Sequence, residues 1–242
     1  MEKTVSEAIA YRRSCRVYKD KPIDTQKVKQ CIENAVLAPT SSNLQLWEFY
    51  HVTNKDILSK LAKACFDQNA AKTAQQLVIV VARKDLWRER CRANIDFLNN
   101  AFDRPDLDER LHKRKKMALT YYQKLMPFTY FDFLGIFGMI KYLAFQIVGL
   151  FRPIYRQARL SDMRIVAHKS AGLAAENFMI SMAAIGYDTC PMEGSDTLRV
   201  KQILDLPRGA EINMVIGCGI RDDKGIYGPR FRVPFEDVYI EV

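Results

Sequence analysis

The five residues Leu77-Val78-Ile79-Val80-Val81 are apolar without a break and mostly β-branched. A strand with one wet face alternates apolar and polar side chains. An unbroken run of this kind is a strand covered on both faces. A chain built on such a strand must be layered.

The flanking patterns supply the layers. Asp24 or Thr25 can cap a helix in which Val28, Cys31, Ile32, Ala35 and Val36 form one face, ending at Ala38-Pro39. Trp47 to Thr53 reads as a strand, and Asn54 opens a second helix with Ile57, Leu58, Leu61 and Ala62 inward. A long helix spans about Met163 to Ile185, with small residues for close packing and Gly186 as its C-cap. Cys190 to Gly194 reads as a loop, Thr197 to Leu204 as a short helix, Glu211 to Ile216 as a core strand, and Val238 to Val242 as a final strand. Helices and strands alternate without internal repeats or linkers, so the expectation is one layered domain over 1–242, mixed α/β or α+β, interrupted by an insertion.

The 242 residues are 48% apolar and 27% charged, which excludes disorder and disulfide-stapled miniproteins. Six cysteines form no CxxC pair, and His51, His112 and His168 do not cluster, so no metal site is expected. Met1 to Ala10 is charged and polar rather than an apolar signal core. The thiols therefore read as reduced and structural in a cytoplasmic protein, and no local pattern supports a catalytic cysteine.

Charge is the unusual property: 37 Lys and Arg oppose 28 Asp and Glu, a net +9. Such an excess suits nucleic acid, an anionic membrane surface or phosphate-bearing small molecules. Arg12, Arg13, Ser14 and Arg16 place three guanidinium groups and a hydroxyl within five residues, and guanidinium forks match phosphate oxygens. Arg230 and Arg232 have the alternate spacing that puts both side chains on one side of an extended chain. Thr40-Ser41-Ser42-Asn43 is a donor-rich loop directly after a helix.

The order of these pieces resembles the nitroreductase-like family of flavin mononucleotide (FMN) enzymes. The likeness runs through Arg12-Arg13-Ser14-Cys15-Arg16 and Ala38-Pro39-Thr40-Ser41-Ser42-Asn43-Leu44-Gln45-Leu46-Trp47. It continues through Asn69 and Lys72, the Ala-rich helix with Asn177, the Cys190 to Gly194 segment, and Pro229-Arg230-Phe231-Arg232-Val233-Pro234. Leu46 stands where the family usually has proline, which would loosen the turn before the strand.

The resemblance implies an α+β fold, a mixed sheet flanked by helices, in an obligate homodimer. It implies that Arg12, Ser14, Arg16, Arg230 and Arg232 bind the FMN phosphate and the polar edge of the ring, with Arg13 contributing its backbone or staying solvated. Pro39, Thr40, Ser41, Ser42 and Asn43 would come from the opposite subunit. Asn69 and Lys72 would reach the pyrimidine side of the flavin, and Pro191, Met192, Glu193 and Gly194 would line its face near N5. NADH or NADPH would deliver hydride in a ping-pong cycle to an electron-poor acceptor such as a nitroaromatic or quinone, with no catalytic side chain required. Glu193 has the alternative reading of a helix cap, and Asn177 that of a satisfied core amide.

Residues 84–162 have no counterpart in the likeness and read as a helical insertion. Residues 84–169 hold 17 Lys and Arg against 9 Asp and Glu, so almost the whole net charge lies here. Phe133 to Phe151 is apolar apart from Lys141 and Gln146. A single crossing of a bilayer would separate Arg12 and Ser14 from Arg230 and Arg232, which argues against a transmembrane span. Two readings stay open: a lid or dimer-contact helix pair, or a peripheral membrane contact through 128–159. Competing functions are a lid-bearing dehalogenase, a flavin-modifying branch of the same fold, or a non-redox basic membrane-binding module. No nucleic-acid motif accompanies the charge, so nucleic acid is not an expected partner.

Overall fold

The computed structural model describes residues 2–103 and 108–242. Its first helix, α1 (Val5–Tyr11), opens with a reciprocal capping box between Thr4 and Glu7. Asp24, rather than Thr25, caps α2 (Thr25–Ala35), its carboxylate accepting from the Gln26 N–H. Then follow β1 (Trp47–Val52), α3 (Lys55–Ala64) with Asn54 as cap, α4 (Asn69–Lys72) and β2 (Gln76–Ala82).

The basic segment forms α5 (Trp87–Ala101), α6 (Glu109–Thr120), α7 (Met126–Tyr130) and α8 (Ile136–Val148). Between α6 and α7 the helix widens into a π turn at Tyr121–Leu125. Pro127 sits at the start of α7, where a proline N has no hydrogen to give to the preceding turn. The chain closes with α9 (Leu160–Ala184), β3 (Asp188–Met192), α10 (Thr197–Ile203) and β4 (Glu211–Gly219).

The strands form one antiparallel sheet in the order β1-β2-β4-β3. Every residue of β2 is buried, as its composition requires. Val78, Val80 and Ala82 face α2 and α9, packing with Val28, Ala171, Phe178 and Met182. Leu77, Ile79 and Val81 face the other way, onto Leu61, Ala70 and Val200. Each fully buried Val, Ile or Leu of β2 contributes about 1.5–3 kcal/mol of transfer free energy. The basic segment joins the first of these cores: Trp87, Cys91, Met126 and Tyr130 are buried in it, with the Trp87 and Tyr130 rings stacked 5.7 Å apart.

Four local expectations need correction. Cys190-Pro191-Met192 is strand rather than loop, running along β4 with Pro191 opposite Ile216. Proline is tolerated there because β3 is an edge strand. Val238 to Val242 is not a strand: after a short 3-10 turn at Phe235–Asp237 the tail is exposed and unpaired within the chain. Asn177 is exposed rather than a core amide. Leu46 does not loosen its turn, since its side chain is buried and its carbonyl accepts from the Arg83 N–H at 2.9 Å.

Candidate functional site

The outer edge of β3 is closed by the segment that follows α1. Ser14 pairs in parallel with Thr189, and the Cys15 N–H donates to the Thr189 carbonyl at 3.0 Å. The bridge is isolated, outside the four strands of the antiparallel sheet, and it sets Arg12 to Arg16 along the site. A buried ion pair fixes the register. Asp188 accepts from the Arg221 N–H at 2.9 Å and from its Nε at 2.7 Å. The Arg221 guanidinium lies 4.1 Å from the centre of the Tyr11 ring, and its Nη2 donates to the Tyr11 carbonyl at 3.3 Å.

The tail returns to the same place. Arg230 donates to the carbonyls of Ala10 and Arg12 at 2.9 and 2.6 Å, satisfying oxygens that α1 leaves free at its C-terminus. Arg13 donates to the Gly228 carbonyl at 2.9 Å, so this side chain staples the tail rather than staying solvated. Between them lies a cavity of about 170 Å³ lined by Arg12, Arg13, Ser14, Arg230 and Arg232, with Pro229 and Phe231. Among the described residues no carboxylate lines it. Desolvation, then the guanidiniums of Arg13, Arg232 and Arg12, pull Arg230 below its ordinary pKa. The cluster is thus a set of mutually repelling donors without a counter-charge, which favours an anion.

Arg16 lies outside this cavity wall. Its backbone N–H donates to the Gly225 carbonyl at 2.6 Å. Its guanidinium and that of Arg12 are close enough to Cys190 to oppose the effect of burial, which still raises that thiol.

Gly194 and Asn69 are brought toward the tail by a short chain of contacts. The Gln68 side-chain amide donates to the Gly194 carbonyl at 2.8 Å, and the Asn69 amide to the Tyr227 hydroxyl at 3.4 Å. Pro191 and Met192 end β3 immediately before the exposed Glu193 and Gly194. The cap of α10 is Asp196, so Glu193 is not a capping acid. Lys72 goes elsewhere: it is exposed and borders a separate cavity with Asp20, Asp67 and Gln75.

The Pro39 to Asn43 loop is tied to the basic segment. Ser42 and Asn43 hold φ of 54° and 49°, left-handed values that cost L-residues energy. Hydrogen bonds hold them there. The Ser42 and Tyr121 hydroxyls lie 2.6 Å apart, the Tyr122 hydroxyl donates to the Ser42 carbonyl at 3.0 Å, and Asn94 pairs with Asn43 in both directions at 3.0 Å. The Thr40 hydroxyl accepts from the Gln45 N–H at 3.2 Å, and the Ser41 N–H donates to Ser170 at 3.4 Å. Beside the loop is a cavity of about 460 Å³ walled by Ser41, Ser42, Tyr121, Phe128, Tyr130 and Phe145. Among the described residues, no hydrogen bond or shared cavity wall joins this loop to the arginine pocket of the same chain.

The nitroreductase family model matches residues 9–220, a span that contains both β3 and the loop and stops just short of the tail arginines. The chain belongs to the nitroreductase family. Among its relatives is an NADH dehydrogenase of Thermus thermophilus, 25% identical over 95% of this chain and 91% of that protein. An oxygen-insensitive NADPH nitroreductase of Helicobacter acinonychis is 23% identical over 80% of this chain and 75% of its own length. A structure from Exiguobacterium sibiricum, solved in complex with FMN, superposes with a TM-score of 0.68 at 20% identity, covering 99% of this chain and 98% of that one. This nitroreductase fold explains why residues 218 positions apart, Arg12 and Arg230, meet: the tail must cross the end of α1.

Sequence reasoning missed Asp188 and Arg221, which set the register of the site, and Gln68 and Tyr227, which bridge its two halves. Asn94, Tyr121 and Tyr122 were missed as well. Their one visible signal was a tyrosine pair within an otherwise Lys-rich helix.

Proposed function

We propose that this chain is an FMN-dependent NAD(P)H oxidoreductase that works as a homodimer and reduces an electron-poor small molecule by two electrons. The observation that carries the reading is the arginine pocket, a cavity of about 170 Å³ lined by Arg12, Arg13, Ser14, Arg230 and Arg232, with no carboxylate among the described residues that line it. That donor set fits a phosphate monoester. The names of the relatives, one an NADH and one an NADPH enzyme, and the FMN in a solved neighbour agree with it.

Bound FMN would supply the two-electron transfer between nicotinamide and acceptor. The protein binds and orients. Arg12, Arg13, Arg230 and Arg232 hold the phosphate, and Arg16 adds positive potential along β3. Asn69 and the Gly194 amide offer hydrogen bonds to the polar parts of the ring, with Pro191, Met192 and Glu193 beside it; Lys72 reaches the ring only by turning away from its present cavity. No side chain is assigned as acid or base.

A second copy supplies what one chain lacks. The exposed Pro39, Ser41 and Asn43 would meet the partner's arginine pocket, and the unpaired tail and the exposed Leu173 and Asn177 of α9 would be covered. α7 and α8 act as a lid, Phe128, Tyr130 and Phe145 walling the larger cavity beside the loop.

The test is absorbance of the purified protein. Flavin bands at one FMN per chain, lost when Arg12 and Arg230 are both replaced by alanine, support the reading. Failure of the intact protein to bind added FMN overturns it.

A further inference from the structure

α8 is amphipathic inside out. Its one charged side chain, Lys141, points inward and is 8% exposed. There Nζ donates to the carbonyls of Phe128, Thr129 and Phe131, at 3.0 Å each, closing the end of α7. The opposite face carries Ile136, Met139, Ile140, Leu143 and Ile147, all at least half exposed, at spacings that align them along one side of a helix. Phe133, Leu134, Leu150 and Phe151 extend the same apolar character beyond both ends and are 59 to 85% exposed. Water is the wrong solvent for such a face.

The surroundings are basic. No Asp or Glu occurs between residues 133 and 161, whereas Arg152, Arg156 and Arg159 do. Phe145 of α8 packs on Phe128, with ring centres 6.2 Å apart. Phe128 also floors a groove on α6 rimmed by Lys113, Lys116 and Lys124. Aliphatic face and lysine rim are therefore neighbours across one phenylalanine.

We propose that the α8 face is an interfacial docking surface for an anionic lipid bilayer. α8 lies in the plane of the headgroups, its aliphatic side chains entering the acyl boundary while Lys113, Lys116 and Lys124 meet anionic headgroups. Among the described residues no helix is long and apolar enough to cross a membrane. The 13 residues of α8 span only about 20 Å against a hydrocarbon core of about 30 Å. Charge favours a bilayer over contact of this patch with its own copy: that contact would bring two segments with the same basic surplus together, whereas an anionic surface complements both the aliphatic face and the lysine rim. The surface uses none of the arginine-pocket residues, so it stands or falls independently of the FMN reading.

The test is vesicle flotation of the full-length protein, with equal parts phosphatidylglycerol and phosphatidylcholine or with phosphatidylcholine alone. The protein should float with the anionic vesicles and not with the neutral ones. I140E/L143E, which puts two carboxylates on the outward face, should lower partitioning at least about tenfold. K113E/K116E should weaken it and flatten its salt dependence. Thermal midpoint and oligomeric mass of both variants should match the parent, showing that the fold is intact. No flotation, or equal flotation of parent and I140E/L143E, overturns the proposal. So does a parent that fails to float and falls to a smaller oligomer in I140E/L143E, because the face is then covered by a second copy.

Discussion

Replacing Asp188 by asparagine tests whether the buried ion pair with Arg221 places the Arg12 to Arg16 segment. The Asp188 side chain is 2% exposed and the Arg221 side chain 29%. Asparagine keeps the shape and one acceptor but leaves a half-buried guanidinium without its counter-charge. Breaking a fully buried pair costs about 3–5 kcal/mol. Arg221 keeps partial access to water, which screens the loss, so about 1.5–3 kcal/mol is expected here. For a domain of this size that lowers the thermal midpoint by roughly 3–12 °C. Because the pair also locks Tyr11 and the start of β3 together, Arg12 and Ser14 lose their register and FMN affinity falls as well. Thermal unfolding by circular dichroism and fluorescence titration with FMN measure the two effects. Asp223→Asn is the control, since Asp223 pairs with Lys19 at 3.5 Å while 96% exposed and should change neither quantity. If Asp188→Asn behaves like Asp223→Asn, the ion pair does not position the site.

Three further predictions follow from other parts of the molecule. Burial tends to raise the Glu211 pKa, but hydrogen bonds from His168 and Arg164 outweigh it and hold the group below its ordinary 4.5. Its contribution is therefore present above about pH 4.5 and lost as the pH falls through the lower folded value. Glu211→Gln should flatten the acid limb of the stability-versus-pH curve and leave the neutral region nearly parallel. All six cysteines are buried, and burial pushes the thiols of Cys31 and Cys65 up to about 11 and that of Cys15 up to about 12. A thiol reagent at neutral pH should label none of them in the native protein and all after denaturation. Finally, an arginine-pocket variant (R12A/R230A) and a loop variant (S42A/N43A) each lose FMN in a composite site. Unfolding and refolding them together should restore roughly a quarter of the sites through mixed dimers. No recovery would place both elements in one chain's site.

Much of the secondary structure was legible because it is written in neighbouring residues. The unbroken apolar run at Leu77 to Val81 specified a doubly covered strand, and Asp24, Asn54 and Gly186 marked helix ends through local hydrogen bonding and left-handed geometry. The arginines were legible as two basic clusters. Their convergence was not, because it depends on the tail crossing the end of α1, a contact more than two hundred residues long. The same limit explains the misread ends. Cys190 to Met192 is a strand only because β4 lies beside it, and Val238 to Val242 is not one because nothing in the chain pairs with it.

The basic segment shows the division most clearly. Composition alone located the positive surplus in residues 84–169 and the apolar stretch within them. Which way that stretch faces was decided by three carbonyls at the end of α7, which draw Lys141 inward and so turn the aliphatic side chains of α8 out. Periodicity records which residues share a helix face. The direction of that face is set by whichever polar groups must be satisfied when the elements pack, and those groups are distant in sequence or supplied only by the fold.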